Sequence, residues 1–140
     1  MLSFLPVYIY FIALSFLVSL TLLARPATGF TYLKAFPFFL ILTLTAETVG
    51  NYLSSISKNN IMLYNLFSTF EFAFFMGVLA GIIDNKMMKK VIWITMFMYI
   101  IAAVCNIFFL QGPTTFHTYT YCIGCLIIVI FCFYYFFELF

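Results

Sequence analysis

Residues 61–83 read IMLYNLFSTFEFAFFMGVLAGII, an apolar run that carries a single charged side chain, Glu71. A helix needs about 20 residues to cross a hydrocarbon core of roughly 30 Å, so this run is long enough to span a membrane. Four more runs share this character, and they are residues 4–24, 36–56, 91–111 and 118–139. The sequence therefore predicts an all-α integral membrane protein, a bundle of about five transmembrane helices that forms a single domain over residues 1–140.

The composition excludes a water-soluble protein. The chain of 140 residues is 66% hydrophobic and only 7% charged, whereas a soluble domain carries roughly 25% charged residues. A net charge of +2 with scattered basic residues also excludes a nucleic-acid-binding surface. The predicted partners are the lipid bilayer and either other membrane subunits or further copies of this chain.

The distribution of basic residues predicts the orientation, because Lys and Arg favour the cytoplasmic side of a membrane. The first and third loops share one face, and they hold five basic residues: Arg25, Lys34, Lys86, Lys89 and Lys90. The opposite face holds only Lys58. We therefore expect a multi-pass protein of the cell (plasma or inner) membrane with its N-terminus outside and its C-terminus inside. The chain stops at Phe140 without a polar anchor, which is typical of a fragment of a longer polytopic protein.

Polar residues line one side of two of the predicted helices, since a helix turns about 100° per residue. In the second helix they are Thr43, Glu47, Gly50, Asn51 and Ser54. In the fourth helix they are Thr95, Tyr99, Ala102 and Asn106. Such stripes are expected to face protein or water instead of lipid.

The third helix, residues 61–83, carries polar and small residues on opposite sides. Tyr64, Ser68 and Glu71 share one side, with Asn65 and Thr69 further round. The other side carries the small residues Ala73, Gly77 and Gly81, a GxxxG pattern that permits close helix packing. We expect this helix to be central and its small residues to pack against another helix of the chain, with homodimerisation as the alternative.

The depth of the polar residues suggests a candidate polar or ion site. At a rise of 1.5 Å per residue, Glu47 and Glu71 fall near the midplane, and Asn51, Asn65 and Asn106 fall in the outer third. We predict that the two carboxyls converge below a layer of amides. The full candidate set is Glu47, Glu71, Asn51, Asn65, Asn106, Thr43, Ser68 and Tyr99. The alternative is that these groups only hydrogen-bond across helices and hold them together.

The cysteines and the one histidine form no recognisable catalytic or metal-binding motif. Cys122 and Cys125 form a CxxC pair, but Thr118, Cys122, Cys125 and Cys132 share a face, as small buried residues do. His117 follows the turn residues Gly112 and Pro113. It is interpreted as interfacial polarity, with sensing of external pH as the alternative.

No motif of a known enzyme class is present, so we predict no catalytic residue, cofactor or metal. The first hypothesis is a non-enzymatic sensory or accessory module, or a subunit of a membrane complex. The second is a proton- or cation-coupled transporter that uses the pair of glutamates. The third is an intramembrane lipid-modifying enzyme in which the two carboxyls act as acid and base.

Overall fold

The computed structural model describes residues 6–24, 31–56 and 58–140, and this part of the chain is helical without any strand. Its longer helices are α1 (Val7–Ser19), α3 (Phe36–Ser55), α4 (Ile61–Ile82), α5 (Lys86–Cys105) and α6 (Thr118–Leu139). The described part of the chain also contains three short elements, which are the helix α2 (Thr21–Ala24), a 3-10 helix (Thr31–Ala35) and a π-helical turn (Asn106–Leu110).

Five helical segments are long and apolar enough to cross a membrane. They are Val7–Ala24, Tyr32–Ser55, Ile61–Ile82, Lys86–Leu110 and Thr118–Leu139. Large apolar side chains cover much of their outer surface, as Phe109 (81% exposed) and Phe137 (80% exposed) illustrate. In water such a surface would drive aggregation, because the hydrophobic effect favours its removal from solvent. For the described residues, the predicted all-α class is confirmed, as is the number of helices that are long and apolar enough to span a membrane.

Helix α5 begins five residues before its predicted start at residue 91. The side chain of Asn85 caps it by accepting hydrogen bonds from the backbone N–H groups of Met87 (2.9 Å) and Met88 (3.3 Å). Lys86, Lys89 and Lys90 therefore lie in the first turns of α5 instead of in a loop. The prediction was wrong here because it treated the lysines as loop residues and did not recognise the asparagine as a helix cap.

The Glu138 carboxylate, near the end of α6, holds the turn before α5. It accepts hydrogen bonds from the backbone N–H groups of Asp84 (3.2 Å) and Asn85 (2.9 Å). A carboxylate beside a helix N-terminus also interacts favourably with the helix dipole. This contact joins the end of α6 to the turn between α4 and α5.

The chain divides into two compact units, residues 1–60 and 61–140. In the N-terminal unit α1 packs against α3, and Ile9, Phe39 and Ala46 are buried. The predicted single domain over residues 1–140 stays a prediction.

In the C-terminal unit, α4 packs against both α5 and α6. Its core is an apolar cluster centred on α4, with members from all three helices: Phe72, Met76, Leu79, Ala80, Ile83, Ile92, Tyr99, Ala103 and Phe131. The expectation that residues 61–83 form a central helix is confirmed within this unit, because α4 packs against both other helices. The three-helix arrangement fixes one end of α4 next to the loop that connects α5 to α6.

Candidate functional site

The imidazole of His117 is the centre of a buried polar network in the C-terminal unit. His117 is 0% exposed, and it lies at the end of the loop that precedes α6. Its Nε2 lies 2.6 Å from Ser68 Oγ on α4, and its Nδ1 lies 2.7 Å from Thr120 Oγ1 on α6. The ring therefore bridges two helices through two hydroxyl groups.

Asn65 attaches the same loop to α4 by a pair of hydrogen bonds. Its Oδ1 accepts a hydrogen bond from the backbone N–H of His117 at 3.1 Å. Its Nδ2 donates to the carbonyl of Thr115 at 2.9 Å. Asn65 is itself 0% exposed, so it supplies the donor and the acceptor that the loop backbone would otherwise find in water. The side chain of Asn65, one turn before Ser68 on α4, therefore holds the loop.

Asn106 extends the network to the end of α5. Its Nδ2 donates to Thr120 Oγ1 (3.1 Å) and to Gln111 Oε1 (2.7 Å). The residue begins the π-helical turn, in which its carbonyl accepts a hydrogen bond from the backbone N–H of Gln111 at 2.9 Å. Such turns inside α-helices occur frequently at functional sites. Here the turn brings Gln111 back toward the helix, so that α5 also contributes to the network.

The hydrogens of this network can be placed consistently for a neutral ring. Ser68 Oγ lies 2.7 Å from the carbonyl of Tyr64, and Thr120 Oγ1 lies 3.2 Å from the carbonyl of His117. Each hydroxyl can therefore donate to a backbone carbonyl and accept from the ring, or donate to the ring instead. Both neutral tautomers are satisfied. Burial lowers the pKa of His117 below its usual range because it penalises the charged ring.

The pair Ser68 and His117 has the spacing of a nucleophile and its base, but the surrounding groups do not favour catalysis. Ser68 is 5% exposed, and its hydroxyl also lies within hydrogen-bond distance of the carbonyls of Tyr64 and Asn65. The neighbouring amide donors, Asn65 Nδ2 and Asn106 Nδ2, already donate to other groups. An acyl-transfer site needs a reachable hydroxyl and donors aimed at the developing oxyanion. The arrangement is instead typical of a polar connection between helices.

Aromatic rings connect this network to the middle of α5. Phe116 packs edge-on against His117, with 5.2 Å between ring centroids, and at a tilt against Tyr121, with 5.3 Å between ring centroids. Tyr121 contacts Phe72, and Phe72 contacts Tyr99. Tyr99 is 3% exposed, and its hydroxyl has no hydrogen-bond partner in the part of the chain that the structure describes.

The predicted pair of glutamates is divided between the two units. In the N-terminal unit, Glu47 accepts a hydrogen bond from the hydroxyl of Tyr8 at 3.0 Å, which links α3 to α1. In the C-terminal unit, Glu71 lines a groove of about 360 Å³ together with Phe75, Tyr121 and Cys125. Convergence of the two carboxyls stays a prediction.

The predicted polar stripe on α3 is only partly buried. Gly50 is buried, and its carbonyl accepts a hydrogen bond from Asn60 Nδ2 at 3.2 Å. Thr43 is half-buried, and its hydroxyl donates to the carbonyl of Phe39 on its own helix. Asn51 is also half-buried, whereas Ser54 is exposed. The stripe on α5 is likewise mixed, because Tyr99 and Asn106 are buried but Ala102 is exposed.

Two expectations, one about α6 and one about the loop before it, need correction. His117 was expected to be an isolated polar residue of the loop, but its ring is buried and hydrogen-bonded to α4 and α6. Thr118, Cys122 and Cys125 are exposed and Cys132 is half-buried, so this face of α6 is not the expected buried one. The buried face carries Thr120, Gly124 and Phe131.

Within the C-terminal unit, helices approach each other closely at Gly124. A Cβ atom on Gly124 would lie 3.0 Å from the Tyr99 hydroxyl and 3.1 Å from Phe72 Cδ2. A Cβ atom on Gly77 would meet no described atom within 4 Å. Gly81 is exposed and Ala73 is half-buried. Packing of these small residues against a helix outside this unit, or in a homodimer, stays a prediction.

The sequence analysis found some residues of the network and missed others. It selected Asn65, Ser68 and Asn106, and these three meet in one network. It missed the roles of His117, Thr120 and Gln111. A usable signal was present, since His117 and Thr120 are polar residues at the very start of α6.

Comparisons with known proteins return no relative. No family model, no curated protein and no solved structure matches the chain.

Proposed function

We propose that this chain is a multi-pass protein of the cell (plasma or inner) membrane that acts as a non-enzymatic sensory or accessory module, or as a subunit of a membrane complex. In this proposal the N-terminus and the loop of residues 111–117 lie outside. The turn before α5 and the C-terminus lie inside, where Lys86, Lys89 and Lys90 agree with the positive-inside rule.

The buried hydrogen-bond network around His117 is the observation that carries the proposal. It joins one loop to α4, α5 and α6 through buried, neutral hydrogen-bonding groups. A carrier or an enzyme needs a polar site that its substrate can enter, whereas His117 and Asn65 are both fully buried. A polar network that couples a loop to spanning helices suits a module that transmits a change or assembles with partners.

The assembly state in the native membrane tests this proposal. The chain is tagged, extracted in mild detergent and separated on a native gel, and the complexes are counted against its own mass of 16.2 kDa. Migration in a defined larger complex supports a subunit or accessory role. Migration as a single chain, combined with ion flux in proteoliposomes, would reject it.

Impermeant thiol labelling tests the proposed orientation. Single cysteines are placed at Thr114, in the loop before α6, and at Asp84, in the turn before α5, in a cysteine-free background. Both residues are exposed. The proposal expects labelling of intact cells at position 114 only. Labelling at position 84 only would reverse the orientation.

A proton- or cation-coupled transporter is the second candidate, and the position of Glu71 favours it. Glu71 lies on the wall of the groove between α4 and α6, beside Tyr121 and Cys125. Carboxyls inside membrane-spanning segments frequently mark ion or proton pathways. Proteoliposome flux that Glu71→Gln and Glu47→Gln abolish would favour transport. Flux that is absent, or equal in both variants and the parent chain, would reject it.

A further inference from the structure

The loop of residues 111–117 is attached to its helices through His117 on both of its sides. The backbone N–H of His117 donates to Asn65 Oδ1, and the ring lies between Ser68 and Thr120. Other parts of the loop are more open, since Pro113, Thr114 and Thr115 are exposed. Its contact with α4 and α6 therefore runs mainly through one residue that can change its charge, and the hydrogen bond from Asn65 Nδ2 to the Thr115 carbonyl is a further attachment to α4.

Neutral groups face the His117 ring from every packed element. On α4 they are Ser68 and Asn65, on α6 they are Thr120 and Tyr121, and within the loop Phe116 contacts the ring. From the end of α5, Asn106 reaches the ring only indirectly, through its hydrogen bond to Thr120. Gln111 in turn hydrogen-bonds to Asn106.

No carboxylate in the described part of the chain is hydrogen-bonded or ion-paired with the His117 ring, whose polar partners are Ser68 and Thr120. Tyr121 lies 6.4 Å from His117 between ring centroids, and a tyrosine is neutral at physiological pH. Glu71 lies one turn further along α4 than Ser68, on the groove described above. Burial alone accounts for the lowered pKa of His117. A charge placed on this ring would be buried without a partner, which is unfavourable.

We propose that residues 111–117 form a proton-operated latch, in which protonation of His117 releases the loop from α4 and α6. At high pH the neutral ring bridges Ser68 and Thr120, and the loop is closed. The imidazole of the open form reaches water, so it binds the proton more tightly than the buried imidazole of the closed form. Low pH therefore favours the open loop. This inference deepens the proposed sensory function by naming the proton as the stimulus, and it rests on that function only for the outer location of the loop.

The sign and size of the effect follow from linkage. An imidazole in water titrates near pH 6.5, and the closed form titrates at a lower pH because its pKa is lowered. Above about pH 6.5 the latch is insensitive to pH. Below it, each pH unit raises the ratio of open to closed loops by up to about tenfold, until the pKa of the closed form is reached.

The single histidine of the chain makes the test direct. The protein is produced without a histidine tag, labelled with ¹⁵N in the imidazole and reconstituted in nanodiscs. A spin label is placed at position 114 of a cysteine-free chain. We expect one ring signal with a titration midpoint below 6.5. We also expect the mobility of the label to rise over the same pH range.

Two results would overturn the proposal that protonation of His117 releases the loop. One is a ring that titrates while the label keeps its mobility between pH 8 and pH 4.5. The other is an equal rise in mobility in the His117→Gln variant, whose amide hydrogen-bonds but does not titrate. If His117→Gln does not fold, agreement between the two midpoints in the parent chain decides, and midpoints more than about one unit apart reject the proposal.

Sided pH jumps in proteoliposomes separate this inference from the proposed orientation. The spin-labelled chain is inserted in one known direction, and the pH is changed on one side at a time. A response to the outer pH alone supports both proposals. A response to the inner pH alone supports the latch and rejects the orientation. No response to either side rejects the latch.

Discussion

Replacement of Asn65 by alanine measures how strongly the network holds the C-terminal unit together. The change removes the acceptor of the His117 N–H (3.1 Å) and the donor to the Thr115 carbonyl (2.9 Å). Thr115 is exposed, so its carbonyl can bind water instead. The N–H of the fully buried His117 is left without a partner.

The magnitude follows from these two bonds. A side-chain hydrogen bond between membrane helices contributes about 0.6 kcal/mol on average, and an unsatisfied buried donor costs about 1–3 kcal/mol. We expect Asn65→Ala to lower the free energy of unfolding by about 3 kcal/mol. Reversible unfolding in mixed micelles of a mild and a denaturing detergent, monitored by far-UV ellipticity, measures the difference.

Asn51→Ala is the matched control for this measurement. Asn51 is a half-buried amide on α3 that makes no hydrogen bond to another described residue, so we expect a change below about 1 kcal/mol. If Asn65→Ala and Asn51→Ala destabilise the protein equally, the network around His117 does not contribute as inferred.

Three further predictions concern single features of the C-terminal unit. Gly124→Ala is expected to destabilise the protein by about 1–3 kcal/mol, because its Cβ would lie only 3.0 Å from the buried Tyr99 ring and hydroxyl. Gly77→Ala, with open space around it, should be neutral or slightly stabilising by the same unfolding assay. Asn85→Ala is expected to cost about 1 kcal/mol through loss of the α5 cap, with faster amide exchange at Met87 as the sign of fraying. The free energy of unfolding should be independent of pH just above pH 6.5 and should decrease at lower pH as His117 becomes protonated. The His117→Gln variant should show no such decrease. A stability that rises on acidification would contradict the lowered pKa.

The spanning segments were predictable because length and hydropathy decide them locally. The runs 61–83 and 118–139 differ from the observed α4 and α6 by at most one residue. The start of α5 was missed because a capping asparagine followed by lysines resembles a polar loop in sequence, although Asn85 forms the cap.

The candidate site was only partly predictable, because its contacts are distant in sequence. The predicted common depth of Asn65 and Asn106 in the membrane stays a prediction, but both residues hydrogen-bond within the network around His117. The contact between Ser68 and His117 joins residues 49 positions apart. The turn residues before His117 suggested an exposed loop, and only the packing of α4 against α6 reveals that the ring is buried.

The distance between the His117 ring and its two hydroxyl neighbours tests the central claim most directly. Solid-state NMR of the chain in lipid bilayers can correlate the imidazole nitrogens with nearby side-chain carbons, and the single histidine makes the assignment unambiguous. The account predicts correlations at neutral pH to the Cβ atoms of both Ser68 and Thr120, whose hydroxyls lie 2.6 and 2.7 Å from the ring. A ring that correlates only with water would contradict it.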